Sequence, residues 1–294
     1  MAEPHFERVC LIGLGLIGSS LARALKRGGL VGEIVGTART PETRAKALEL
    51  GFIDRVEGDA AAAARNADLI ILAAPVGANA ALAEAIGPAL KPGAIVTDVG
   101  SVKQAVIDAV APHLPEGVHL VPAHPVAGTE ESGPEAGFAE LFENRWTILT
   151  PLPRTAPKAT AKVADMWRKI GANVATMRPD HHDMVLAITS HVPHLIAYTI
   201  VGTATDLSGD LKQEVIKYSA SGFRDFTRIA ASDPVMWRDI FLNNREAVLE
   251  ILSRFTEDLT AMQRAIRKGD GKMLEDTFVR GRGIRRGIIE AKQA

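Results

Sequence analysis

The sequence predicts an α/β amino-terminal domain, residues 1–178, with a doubly wound and mostly parallel sheet, followed by an all-α domain, residues 179–294. Three observations lead there. A chain of 294 residues is too long for one ordinary core and has the apolar content to bury two. Up to residue 178, short β-rich runs alternate with amphipathic stretches, and runs such as Leu69-Ile70-Ile71-Leu72 are apolar throughout, as strands covered on both faces require. Beyond Pro179 the strand-like runs vanish and long helical patterns take over, broken at Ser208-Gly209-Asp210, near Ser219 and Gly222, and at Ser232-Asp233-Pro234.

In chain order, strands are expected at 8–12, 33–37, 69–72, 95–98, 119–122, 146–150 and 173–177, with helices in most gaps, the alanine run at 60–64 included. Asp233 followed by Pro234 reads as an N-cap with proline at the first helical position, launching a helix toward Gly269. A helix of about 35 residues spans roughly 50 Å, longer than such a domain is wide. We therefore expect a homodimer through the helical domain.

Basic and acidic side chains balance, 34 against 35, so no overall field holds a nucleic acid or an anionic membrane, and neither partner is expected. The single cysteine, Cys10, lies in an apolar run and reads as a buried, inert thiol, which excludes a disulfide framework and fits a reducing cytoplasm. The most apolar later segments, 69–90 and 185–204, contain Pro75 and Glu84 or His191, Pro193 and His194, and no membrane span is expected.

An apolar strand runs directly into Gly13-Leu14-Gly15-Leu16-Ile17-Gly18, a helix leaves it, and a second strand ends about 20 residues on, the context of a Rossmann-type dinucleotide site. Gly13 makes the turn, Gly15 lets backbone approach the pyrophosphate, and Gly18 lets the helix sit close to the strand. Leu16 and Ile17, with Ala74 and Pro75 after the 69–72 strand, complete the expected cofactor contacts. The second strand ends in Gly36-Thr37-Ala38-Arg39-Thr40 with no carboxylate to receive a ribose 2′-hydroxyl. Arg39, with Thr40 and Arg44, suits a 2′-phosphate, so NADP is favoured over NAD; the other reading stacks Arg39 on adenine.

Asp98-Val99-Gly100-Ser101-Val102-Lys103 places Ser101 at the carboxyl edge of the sheet, either as a helix cap or beside the nicotinamide. His124-Pro125-Val126-Ala127-Gly128-Thr129-Glu130 ends the next strand at the same edge, where a histidine has the right range for a general base. Ser190-His191-Val192-Pro193-His194 puts two histidines on one helix face; no third ligand stands at convincing spacing, so we expect a polar cleft lining and no metal. In Ser221-Gly222-Phe223-Arg224-Asp225-Phe226-Thr227-Arg228, one arginine is expected to hold a carboxylate.

These segments, namely 100–103, 124–133, 190–194 and 219–237 with Asp239, resemble in order and spacing the prephenate and arogenate (cyclohexadienyl) dehydrogenases of tyrosine biosynthesis. The resemblance implies oxidative decarboxylation of a cyclohexadienol: hydride leaves C4 for the nicotinamide as the C1 carboxylate departs. It implies His124 as proton acceptor, Ser101 as hydrogen-bond partner of the 4-hydroxyl, Arg228 on the ring carboxylate and His194 at the side chain. Thr129, Glu130, Gly222, Asp225 and Trp237 fall in matching motifs and are expected to line or gate the cleft. Ser221 stands where some relatives carry glycine, and the chain's end at Ala294 leads us to expect no fused mutase or regulatory domain. On this reading kcat/KM climbs with pH through one group near the histidine range. Two other readings remain: a β-hydroxyacid dehydrogenase or imine reductase, and a binding protein that senses the dinucleotide without turnover.

Overall fold

The structure, a computed structural model, describes residues 3–205, 214, 217, 218 and 220–290. It separates into two compact units, 1–245 and 246–294. The breaks expected at Ser208-Gly209-Asp210 and at Ser219 fall outside the described residues.

The first unit is built on six parallel strands, β1 (Phe6–Ile12), β2 (Val31–Thr37), β3 (Arg55–Val56), β4 (Leu69–Leu72), β5 (Ile95–Asp98) and β6 (His119–Val121), in spatial order β3-β2-β1-β4-β5-β6. Alternation along β1 divides its side chains between two cores: Val9 and Leu11 join one cluster, Cys10 and Ile12 the other, and Leu69 and Ile71 part from Ile70 and Leu72 in the same way. Both faces are thus covered, which explains the unbroken apolar runs. Burial pushes the Cys10 thiol up to about 12, so it stays protonated and inert. The chain order reverses between β1 and β4, and the strand ends there are level, with Thr37 opposite Ile12, Ile12 opposite Leu72 and Leu72 opposite Asp98. The loops after four strands therefore open at one edge, where an open α/β sheet takes its ligand.

Three further strands form a second sheet, β7 (Ala123–Pro125), β8 (Trp146–Leu149) and β9 (Asn173–Thr176), with β7 antiparallel and β9 parallel to β8. This corrects two expectations. The strand expected at 119–122 stops at Val121: His119 N donates toward β5, so by alternation Pro122 faces away, its carbonyl accepting from Thr150 N at 3.0 Å, and His124 rides on a separate strand that has changed sheets. The two-residue β3 carries too little pattern to be read from sequence.

Helices then take over. The helix Pro179–Leu186 widens into a π-helical turn, Ala187–His191, and continues as a further helix, Val192–Thr205; Pro193, which cannot donate to the preceding turn, lies just beyond the widening. By length and composition the stretch Pro179–Ala204 could cross a membrane, yet its His182, Asp183 and His191 are buried and hydrogen-bonded within the first unit. The helix launched by Asp233, whose carboxylate caps Val235 and Met236, does not run on to Gly269 as expected. It ends at Asn243; Asn244 leaves helical geometry at φ −111°, ψ 33°, and a second helix, Arg245–Lys268, begins. The break frees the buried Asn244 amide, whose Nδ2 donates to the Asp183 carbonyl and to His191 Nδ1, both at 2.9 Å.

The second unit consists of the rest of that helix and Gly271–Glu290, joined through Gly269 at φ +68°, a left-handed position that glycine adopts without strain. Leu249, Leu259, Ile266, Phe278 and Ile284 are exposed on it.

Candidate active site

The glycine turn fits a dinucleotide for a reason the structure makes specific. A Cβ on Gly13 would lie 2.4 Å from the Ala73 carbonyl oxygen, and one on Gly18 would lie 2.1 Å from that of Gly13, so those two are glycines because protein backbone occupies the space. Gly15 differs. Its backbone is extended, at φ −80° and ψ −165°, and a Cβ there would meet nothing within 4 Å. Nothing in the protein requires glycine at Gly15, and the open space beside it would admit an approaching pyrophosphate. Leu16 and Ile17 are half-buried at the start of α1 (Leu16–Arg27), and Ala74 and Pro75 follow β4 on the same edge. At the end of β2, Arg39 is exposed, Arg44 donates to the Ala38 carbonyl at 2.6 Å, and the Thr40 hydroxyl caps α2 (Pro41–Glu49) by accepting from Thr43.

Around His124 the structure assembles groups that sequence reading missed. His124 is 7% exposed, and its Nδ1 lies 2.8 Å from His182 Nε2; His182 Nδ1 lies 2.8 Å from Asp183 Oδ1. The carboxylate fixes both tautomers. It accepts from His182 Nδ1–H, leaving His182 Nε2 to accept from His124 Nδ1–H, so the lone pair of His124 sits on Nε2. Asp183 is itself held by the amides of Lys103 and Gln104, at 2.8 and 2.9 Å, at the start of α3 (Gln104–Val110). Burial, with the neighbouring His182 and Lys103 charges, holds His124 well below the usual histidine range; burial lowers His182 as well.

A second buried pair sets the strand. Lys103 Nζ bonds the Asp98 carboxylate and, at 2.7 Å, the Ala123 carbonyl, while Asp98 Oδ1 accepts from Ala123 N at 3.1 Å. The residue before His124 is thus clamped on both backbone groups. Burial lowers the Lys103 ammonium from its ordinary value and the Asp98 carboxylate opposes this. Ser101 is not the helix cap: Asp183 takes the first amides of α3, leaving the half-exposed Ser101 at the strand edge.

His194 stacks on Trp237 with centroids 3.7 Å apart and planes 24° apart, and its Nδ1–H donates to the Ser190 carbonyl. The sequence pairs His191 with His194, but their partners differ: Asn244 donates to His191 Nδ1, so His191 carries its proton on Nε2. That Nε2–H and the Trp237 Nε1–H are buried and meet no acceptor among the described residues. Arg228, 64% exposed at its side chain, pairs with Glu130. Thr129 is exposed in the same connection, its hydroxyl accepting from Glu131 N, and Gly222 is exposed in the helix Ser221–Thr227 with no constraint on a Cβ. Among the described residues no group of three or more His, Cys, Asp or Glu is placed to hold a metal.

A family model described as the prephenate dehydrogenase nucleotide-binding domain matches residues 21–176, and one described as the prephenate dehydrogenase dimerization domain matches 178–280. The chain belongs to the prephenate dehydrogenase family. It is 44% identical to a cyclohexadienyl dehydrogenase of Zymomonas mobilis, over 93% of each chain. It is 34% identical to a prephenate dehydrogenase of Bacillus subtilis, over 96% of this chain and 76% of that one. The crystal structure of prephenate dehydrogenase from A. aeolicus, in complex with hydroxyphenyl propionate and NAD+, superposes with a TM-score of 0.88 at 34% identity, over 98% of this chain and 99% of that one. The family thus supports a dehydrogenase that uses a pyridine nucleotide.

Proposed function

We propose that this enzyme oxidatively decarboxylates prephenate, arogenate or both, forming 4-hydroxyphenylpyruvate or tyrosine. The observation that carries the reading is the acceptor lone pair on His124 Nε2, set by the His182–Asp183 pair at the ligand edge of the sheet. When bound, the nicotinamide supplies the hydride acceptor. His124 withdraws the 4-hydroxyl proton as hydride leaves C4, and the resulting imidazolium keeps its Nδ1–H bond to His182, whose own proton faces the Asp183 carboxylate. Ser101 hydrogen-bonds the same hydroxyl. Arg228 seats the ring carboxylate, and His194, fixed by Trp237 and Ser190, faces the side chain with an acceptor nitrogen. Thr129 and Glu130 cover this cleft, Glu130 yielding Arg228 to the substrate.

Arg39 and the oriented Arg44 guanidinium, at a strand end without a carboxylate, favour NADP over NAD. The helical region, matched by a model named for dimerization and bearing exposed Leu249, Leu259, Ile266, Phe278 and Ile284, forms a homodimer. The organisation into a nucleotide-binding part, 1–178, and a substrate and dimer part, 179–294, follows the change from strand to helix at Pro179. A cytoplasmic enzyme fits these parts. The deciding experiment follows reduced-cofactor absorbance after adding prephenate or arogenate with each cofactor. Absence of signal in all four combinations would refute the activity, and a clear NAD preference would refute the 2′-phosphate reading.

A further inference from the structure

We propose that the connection 126–145 is a strap seated on α1, with Gly137 and Ser20 as positioning residues that hold Thr129 and Glu130 over the substrate. The proposal rests on the reading that Glu130 and Arg228 face substrate.

The seat is built from several contacts. A Cβ on Gly137 would lie 2.0 Å from Ser19 Oγ, 2.8 Å from Ser19 Cβ and 2.9 Å from Ser20 N, so backbone lies against helix at a separation that only glycine permits. Gly137 is not among the positive-φ glycines, and space rather than conformation makes the demand. Ser20 Oγ accepts from Phe138 N at 3.1 Å. Arg27, in the last turn of α1, donates to the Ala139 carbonyl at 3.3 Å and pairs with Glu140 and Glu143. Leu141 and Phe142 are buried, Phe142 edge-on to Trp167.

Residues 137–143 are therefore fixed by steric fit, a hydrogen bond, ion pairs and burial. The preceding stretch reaches out to Arg228 through Glu130, and Gly133, at φ +93°, lies between the two halves. The serine under Gly137 also braces the glycine turn, because Ser19 Oγ donates to the Gly15 carbonyl at 2.8 Å, where pyrophosphate is expected. Strap and cofactor turn share one support.

The test compares Gly137→Ala and Ser20→Ala with the unaltered enzyme by amide hydrogen exchange over 128–136, substrate KM, kcat and directly measured cofactor Kd. Both variants should speed exchange over 128–136 and raise the KM for prephenate or arogenate about tenfold, the scale on which misplaced contacts act, with kcat and cofactor Kd held within about twofold. Should Gly137→Ala fail to fold, Ser20→Ala carries the test alone. Unchanged exchange, unchanged KM, or a KM that rises only in step with lost cofactor affinity would overturn the strap. Failure of the functional reading looks different: the unaltered enzyme turns over neither substrate, while the exchange comparison still reports on the seat.

Discussion

His124 Nδ1 lies 2.8 Å from His182 Nε2, so the proposed base is oriented by a second histidine, which in turn answers to the Asp183 carboxylate. His124→Asn removes the acceptor while keeping the volume approximately. Steady-state kinetics should show kcat reduced about a hundredfold or more, the range for loss of a general base, with substrate KM little altered. A large KM change at constant kcat would reassign His124 to binding.

Asp183→Asn tests the orientation itself. An amide offers one acceptor oxygen where the carboxylate serves His182 Nδ1–H and two backbone amides. The tautomers of both histidines are then no longer imposed. We expect kcat to fall at least tenfold and the folded state to lose about 1–3 kcal/mol, the cost of a buried polar group left unsatisfied, read from kinetics and urea unfolding. Retained kcat in a destabilised protein would make Asp183 purely structural.

The acid limb of activity should lie below 6.5, since burial lowers His124 well under that value. The sequence alone places that limb in the ordinary histidine range, and the burial of His124 moves the expectation down. Stability carries the same sign. His124, His182 and His191, the last lowered to about 4, bind protons in the unfolded chain before they do in the folded one. Their contribution is intact above 6.5 and is lost as pH falls from 6.5 toward 4. Thermal unfolding across that window should show Tm dropping steadily, and a flat Tm would contradict the buried neutral state.

Arg228→Ala should raise substrate KM strongly and leave kcat nearly intact, because on the proposed reading the ring carboxylate loses a two-pronged partner. Glu130→Gln leaves Arg228 without its resting partner and should lower KM or leave it unchanged. If both variants damage kcat alone, the pair belongs to another step.

Arg39→Ala combined with Arg44→Ala should shift the ratio of kcat/KM for NADP over NAD toward NAD by about tenfold or more, since on the proposed reading each arginine contributes a charge-assisted contact to a 2′-phosphate. An unchanged ratio would place both side chains outside cofactor selection.

Much of the fold was legible because its signals are local. Apolar runs bounded by turns located β1, β2, β4 and β5, and the glycine turn marked the passage from β1 into α1. His124 and Ser101 were singled out for their position after strands, which sequence order supplies. His182, Asp183 and Asn244 were not, because their partners lie far along the chain: Asp183 reaches Lys103, and Asn244 reaches Asp183 and His191. The break at Asn244 also escaped notice, since neither glycine nor proline marks it; a tertiary hydrogen bond overrides a favourable helical pattern. The end of β6 at Val121 was not legible either, because it depends on the distant Thr150, whose N–H donates to the Pro122 carbonyl.

The level strand ends at Thr37, Ile12, Leu72 and Asp98 act as a measuring bar. At about 4.8 Å per strand, the distance from Arg39's loop to Ser101's is near 14 Å along the edge. A ligand spanning it must be stretched, with its ends read by loops that never touch each other. A fragment equivalent to the adenosine half addresses only the Arg39 end of that bar, and it should bind without aligning anything over His124.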